Sequence, residues 1–110
     1  MDIGAVLIHL KPNAMANVEA WQTELNLRKE EAIETLMAEG VHIESWFFLE
    51  LDKKQYLLAY MRAKDIKQAQ VVGRKSNFPI DEVHKVFKQN WEKVIQIQLL
   101  VDLENTKFQS

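Results

Sequence analysis

No cysteine occurs anywhere in the sequence. Disulfides, thiolate nucleophiles and cysteine-ligated zinc are thereby excluded, and the absence accords with a reducing compartment. An excess of one charge sign is lacking too. Fourteen basic against sixteen acidic side chains give a net charge of -2, so no global field attracts nucleic acid or an anionic membrane. No apolar run approaches the roughly 18 residues of a membrane span. The opening "MDIGAVLIHLKPN" has an acidic second residue and an apolar run of only about seven residues, unlike a secretory signal. A cytoplasmic setting is the expectation. Three glycines and two prolines form no linker-like tract, and no internal repeat or low-complexity segment interrupts the chain.

What is present is ordinary globular composition. The 110 residues are 47% hydrophobic and 27% charged, the size and balance of one domain spanning 1–110. A β-rich segment from Ile3 to Lys11 stops at "KPN", where Pro12 cannot donate to a ladder and Asn13 can cap a helix. A helical pattern follows from Ala14 to Glu39 and ends at Gly40. Its apolar stripe of Val18, Trp21, Leu25, Ala32 and Leu36 has one gap, filled by Arg28. Strand two spans Val41 to Leu51, and "DKKQ" turns the chain into strand three, Tyr56 to Ala63. Asp65 caps "IKQAQVVGRKS", a helix expected to break at Gly73. A further helix begins near Ile80, with Asp81 and Glu82 in its first turn, where the dipole favours them. It is expected to carry Val83, Val86, Phe87, Trp91 and Val94 on one face. "IQIQLLVDLE", from Ile95 to Glu104, is the fourth strand.

The order βαββαβ predicts an α+β fold: a ferredoxin-like, four-stranded antiparallel sheet with helices on one face. The other face also needs cover. Strand four offers Ile95, Ile97, Leu99, Val101 and Leu103 on one side. Strand two offers Val41, Ile43, Phe47, Leu49 and Leu51 on one side, and Trp46 and Phe48 on the other. A hairpin with two apolar faces implies that both are covered, and a second copy is the simplest cover for the side away from the helices. A homodimer through the sheet face is therefore expected.

The whole chain resembles the dimeric α/β-barrel superfamily of small ferredoxin-like proteins that pair sheet to sheet. The run "LNLRKEEAIETLMAEGVHIESWFFLE" followed by "YLLAYMRA" is similar to an uncharacterised bacterial family of unknown function. L-rhamnose mutarotase is a more distant likeness. It shares the proline ending strand one, a glutamate nine residues before the helix-ending glycine, and an aliphatic hairpin. On that alignment Glu31 and His42 match by type. The mutarotase's helix-one histidine has no counterpart between Gln22 and Leu25, and its strand-two tyrosine falls at Glu44. Haem-degrading relatives are a poorer match, because strand one contains no asparagine. The resemblance implies a small-molecule-binding protein, as an isomerase of mutarotase type or a cofactor-free monooxygenase. A non-catalytic homodimeric interaction protein without a ligand pocket is the alternative.

Several residues could carry chemistry. Arg28, within an apolar stripe, is either a solvated ion pair with Glu24 and Glu31 or an anchor for an anionic or hydroxylated ligand. Glu44 depends on register. A three-residue loop opposes it to Arg62, and Trp46 to Tyr60. The two-residue alternative is read as opposing Phe47 to Tyr60, without the charge pair. The first register is the more self-consistent, since it pairs opposite charges and two aromatics. Glu44 is then a structural partner of Arg62 or a general base in a pocket. Of three histidines, His42 lies at the rim where helix one hands over to the sheet and is the titratable candidate. His84, beside Asp81 and Lys85, is expected on the solvated flank. The catalytic candidates are thus His42 and Glu44, and the ligand-binding candidates Arg28, Glu31, Trp46 and Tyr60. Trp21, Trp46, Tyr60 and Trp91 could form an aromatic wall. No histidine pair has metal-ligand spacing. "VGRKSN" lacks the glycine spacing of a phosphate loop, so neither a metal nor a cofactor is assigned.

Overall fold

A computed structural model describes residues 1–107. β1 (Asp2–Leu10) leads through a turn into α1 (Met15–Leu27) and α2 (Lys29–Glu39). The hairpin β2 (Val41–Leu51) and β3 (Lys54–Ala63) follows, then α3 (Ile66–Lys75) and α4 (Pro79–Phe87). One 3-10 turn, Lys88–Asn90, delivers the chain to β4 (Trp91–Ile97). The expected mixed α+β class and four-stranded antiparallel sheet are both present, with strand order β2-β3-β1-β4. β2 is therefore an edge strand and β3 an interior one.

The helices and one face of the sheet share the core. Ile8, Leu10 and Leu57 from the strands meet Ala14 at the cap of α1, Val18 and Trp21 of α1, and Phe87 of α4. A second cluster joins Val41 and Ala63 to Ala69 of α3. On the opposite face Ile43, Phe47, Ile95 and Ile97 stand exposed. That face is apolar along all four strands, since cross-strand pairing aligns Ala5 with Ile97, Leu7 with Leu58 and Ile95, and Phe47 with Leu58.

Several local expectations are corrected. The long helix is two helices, broken at Arg28, whose φ of -113° and ψ of 38° leave the helical range. The gap in the apolar stripe is the joint between them. Asn13 does not cap; it takes a positive φ of 65°, and Ala14 occupies the cap position without a side-chain bond. Asp65 does cap, accepting from the Gln68 amide, but α3 runs straight through Gly73 to Lys75. A Cβ at Gly73 would make only ordinary contact, 3.5 Å from a carboxylate oxygen of Glu39. Gly40 ends α2 in the left-handed region, at φ 72°, its amide bonding back to Leu36 and Met37. Trp91 and Val94 belong to β4 rather than α4. Asn90 makes that corner: its carbonyl accepts from Lys11, and its side chain bridges Asn17 and the Phe87 carbonyl.

The hairpin register also differs. Asp52 and Lys53 form a two-residue loop, both at positive φ (51° and 65°), so Leu51 faces Lys54. Such a turn twists with the strands it joins. Glu44 then opposes Met61, Ser45 opposes Tyr60 and Trp46 opposes Ala59. Neither proposed Tyr60 pairing occurs. Near the start of β2 the register shifts between Val41 and Ile43, leaving His42 as the extra residue of a bulge. The bulge turns Val41 to the helix side, where it is 7% exposed, while Ile43 stays on the open side.

Candidate functional site

With that register, β2 presents Glu44, Trp46 and Phe48 to the helix side. Trp46 meets Trp21 of α1 edge to face, with ring centroids 5.0 Å apart. Trp21 in turn stacks on Phe87 of α4 at 4.4 Å. The centre of this cluster is His84. Its ring lies 5.4 Å from Trp46 and 5.9 Å from Trp91, and its Nδ1 accepts a 3.2 Å hydrogen bond from the Trp21 indole Nε1–H. His84 is therefore not on a solvated flank, contrary to expectation. Its spacing carried the signal, since Ile80, His84 and Phe87 recur at steps of four and three on one helix face.

Burial among aromatic rings, with a smaller push from Lys88, lowers the His84 pKa to about 4. The imidazole is neutral near pH 7. Because Nδ1 accepts from Trp21, the ring proton sits on Nε2, which makes His84 a hydrogen-bond donor there rather than a base. The indole Nε1–H of Trp91 is buried without a hydrogen-bond partner among the described residues. Lys88 lies over the Trp91 ring, 5.6 Å from its centroid.

Carboxyl groups border this cluster. Burial raises the Glu39 carboxyl to about 7, and the charges of Glu44 and Asp81 push the same way against Lys88. Glu44 is also raised, by burial first, while a hydrogen bond from the Trp46 indole and the Lys88 charge pull it down. Water reaches Glu44, whose side chain is exposed by area, so solvent screening tempers that shift without reversing it. Asp81 accepts from the Ser76 hydroxyl at the start of α4. A proton can thus reside on Glu39 or Glu44 closer to neutrality than on a free carboxyl.

Two recesses lie on the helix side. A groove of about 310 Å³ between α1 and β2 is lined by Trp21, Gln22, Leu25, Asn26, Trp46 and Phe48, among others. A cavity of about 290 Å³ between α2 and α3 contains Glu39, Thr35, Lys75 and Phe78 in its wall. Trp21 and Trp46 connect the groove to the His84 cluster behind it.

The sequence candidates are dispersed about this geometry. Glu44 and Trp46 share the helix side of β2. Tyr60 points to the open side, where its hydroxyl accepts from Arg62 Nε. The Glu44–Arg62 pair is consequently absent. Arg62 reaches the chain beyond β4, 2.9 Å from Asp102. His42 is exposed in its bulge. Arg28 grips both oxygens of Glu31, at 2.8 and 3.0 Å, and Glu24 at 3.1 Å. The guanidinium lowers the Glu31 pKa in return. Of these candidates Trp46 lines the groove, and Arg28, Glu31, His42, Glu44 and Tyr60 all lie outside its lining. Among the described residues, no three His, Cys, Asp or Glu side chains converge as a metal site, and no helix is long and apolar enough to cross a membrane.

The model of DUF6176, described as a family of unknown function, matches residues 1–107. No curated protein matches the chain.

Proposed function

The chain belongs to DUF6176, a family of unknown function, and we propose on that premise that it is a homodimeric small-molecule-binding protein. The order β2-β3-β1-β4 is read as the ferredoxin-like arrangement. Two copies pair through their open sheet faces as a dimeric α/β barrel, and each keeps a ligand site on its helix side. One observation carries the ligand reading. Trp21 and Trp46, set edge to face at 5.0 Å, wall a groove of about 310 Å³ whose polar groups are few, Gln22 and Asn26. That volume and mixture suit a small, flat-faced molecule. Where chemistry occurs it is proton transfer of the isomerase or cofactor-free monooxygenase type. Glu44, two residues before Trp46 on the same side of β2 and beside the groove rather than in its lining, moves the proton, and His84 behind the tryptophans holds Trp21 in place through Nδ1.

The test is a thermal-shift screen of small metabolites, repeated on Trp46→Leu. A compound that raises the melting temperature of the native chain but not of the variant supports the reading. A screen in which every compound shifts both chains equally, or neither, contradicts it.

A second reading, a non-catalytic homodimer without a ligand pocket, draws on Arg28. Its guanidinium is committed to Glu31 and Glu24, which leaves no free anchor there for an anionic or hydroxylated ligand. If Arg28→Met preserves every ligand response, Arg28 and Glu31 are only a structural pair; if the response disappears, they belong to the site.

A further inference from the structure

We infer that residues 98–103 form an arm that packs onto the open sheet face of a second copy, across Ile43 of the partner subunit. The inference rests on the sheet-to-sheet dimer proposed above and adds to it a contact outside the sheet. β4 leaves the ladder after Ile97, its last rung opposite Ala5. The apolar alternation of Ile95 and Ile97 nevertheless continues through Leu99, Val101 and Leu103. These three are 52, 70 and 87% exposed, and Leu100 between them is 83% exposed. Four large aliphatic residues within five positions, all without cover, are unusual on a free surface.

The arm nonetheless has a fixed direction. Asp102 accepts from Arg62 Nη2 at 2.9 Å, and Glu104 lies 4.0 Å from Nη1. Arg62 belongs to the open side of β3, beside Tyr60. The ion pair therefore steers the arm along the face that also lacks cover. One chain thus carries both an uncovered apolar sheet and an uncovered apolar strip at its margin. Such self-complementarity is what an isologous interface requires, and it selects a second copy over an unrelated partner.

With the twofold axis of this dimer set parallel to the strands, the sheet order gives where the strip lands. A twofold axis between the faces and parallel to the strands places β4, one edge, over β2, the other edge, of the partner. Heights along the strands are unchanged by that rotation. Ile97 is level with Ala5, Ala5 with Tyr60, and Tyr60 with Ser45. The residues after Ile97 then reach the start of the partner's β2, where Ile43 is 40% exposed on the same side.

Sedimentation equilibrium of the full chain, with and without Leu99→Ser, Val101→Ser and Leu103→Ser combined, tests the arm. The expected result is a native dimer whose dissociation constant rises about tenfold or more in the variant, since several aliphatic side chains lose their cover. Circular dichroism of the diluted variant should be unchanged. The cysteine-free chain permits a second readout: Leu99→Cys chains mixed with Ile43→Cys chains should form a disulfide-linked heterodimer on mild oxidation. A native dimer with unaltered association in the triple variant, or without that crosslink, overturns the arm and leaves the sheet dimer standing. A monomeric native chain overturns both.

Discussion

On the helix side of the sheet Ile8 and Leu57 are 0 and 2% exposed; on the other side Phe47 and Ile97 are 55 and 43% exposed. Both faces are built from the same kinds of residue, so composition does not distinguish them. What differs is the neighbour. Four helices fold back over one face, and among the described residues no element covers the other. Side chains on the covered face also acquire shifted acidities, as His84, Glu39 and Glu44 show. The covered face should govern the stability of the chain, and the open face its association.

Substitutions separate the two roles. Ile8→Ala removes a fully buried side chain and should cost about 2–5 kcal/mol in chemical unfolding, at any protein concentration. An equal truncation on the open face, Ile97→Ala, should leave unfolding of the dilute chain within about 0.5 kcal/mol. Equal losses at the two sites would erase the distinction.

Acidity distinguishes the faces next. The His84 pKa is depressed from 6.5 to about 4, so the folded state binds its proton less readily than the unfolded state. Its contribution is complete above pH 6.5 and is lost as pH falls toward 4, by roughly 2–3 kcal/mol. His84→Gln, which can still accept from Trp21, should flatten that acid limb in melting curves against pH. Glu39 acts in the opposite sense. Its carboxyl is raised from 4.5 to about 7, so stability falls as pH rises across that window and stays low above it. Screening of the half-buried group reduces the effect to about 1–2 kcal/mol. Glu39→Gln should be more stable than the native chain at pH 8 and indistinguishable near pH 4. A variant equally stable at both pH values relative to native would place Glu39 in water.

The smallest effect belongs to the loop that sets both faces. Lys53 holds a φ of 65° without being glycine, and Lys53→Gly should stabilise by up to about 1 kcal/mol in unfolding experiments. Loss of stability there would mean that the lysine side chain holds the turn.

The sequence shows why some of this was legible and some was not. Strand periodicity and the Gly40 stop placed β2, and the Asp65 cap placed the start of α3, because each is a local signal. The break at Arg28 preserved the helical spacing on either side of it, so periodicity could not reveal it. Asp52-Lys53 is not a glycine-containing turn, and a one-residue error in loop length moved Glu44 and Trp46 to the wrong cross-strand partners. The bulge at His42 has no sequence mark and inverted Val41. Phe87, Trp91 and Val94 happen to fall at helical steps across a helix–strand junction. For the candidate site, Glu44 and Trp46 were legible as apolar-face outliers. His84 was masked by its charged neighbours Asp81 and Lys85.

What covers the open face decides how the chain associates, and sedimentation equilibrium of the native chain beside Phe47→Arg at micromolar concentration measures it directly. The native protein should run at twice the 12.9 kDa chain mass. The variant, with a charge set in the middle of that face, should run as a folded monomer. A native chain that sediments as a monomer, or a Phe47→Arg chain that dimerises undiminished, would contradict the account.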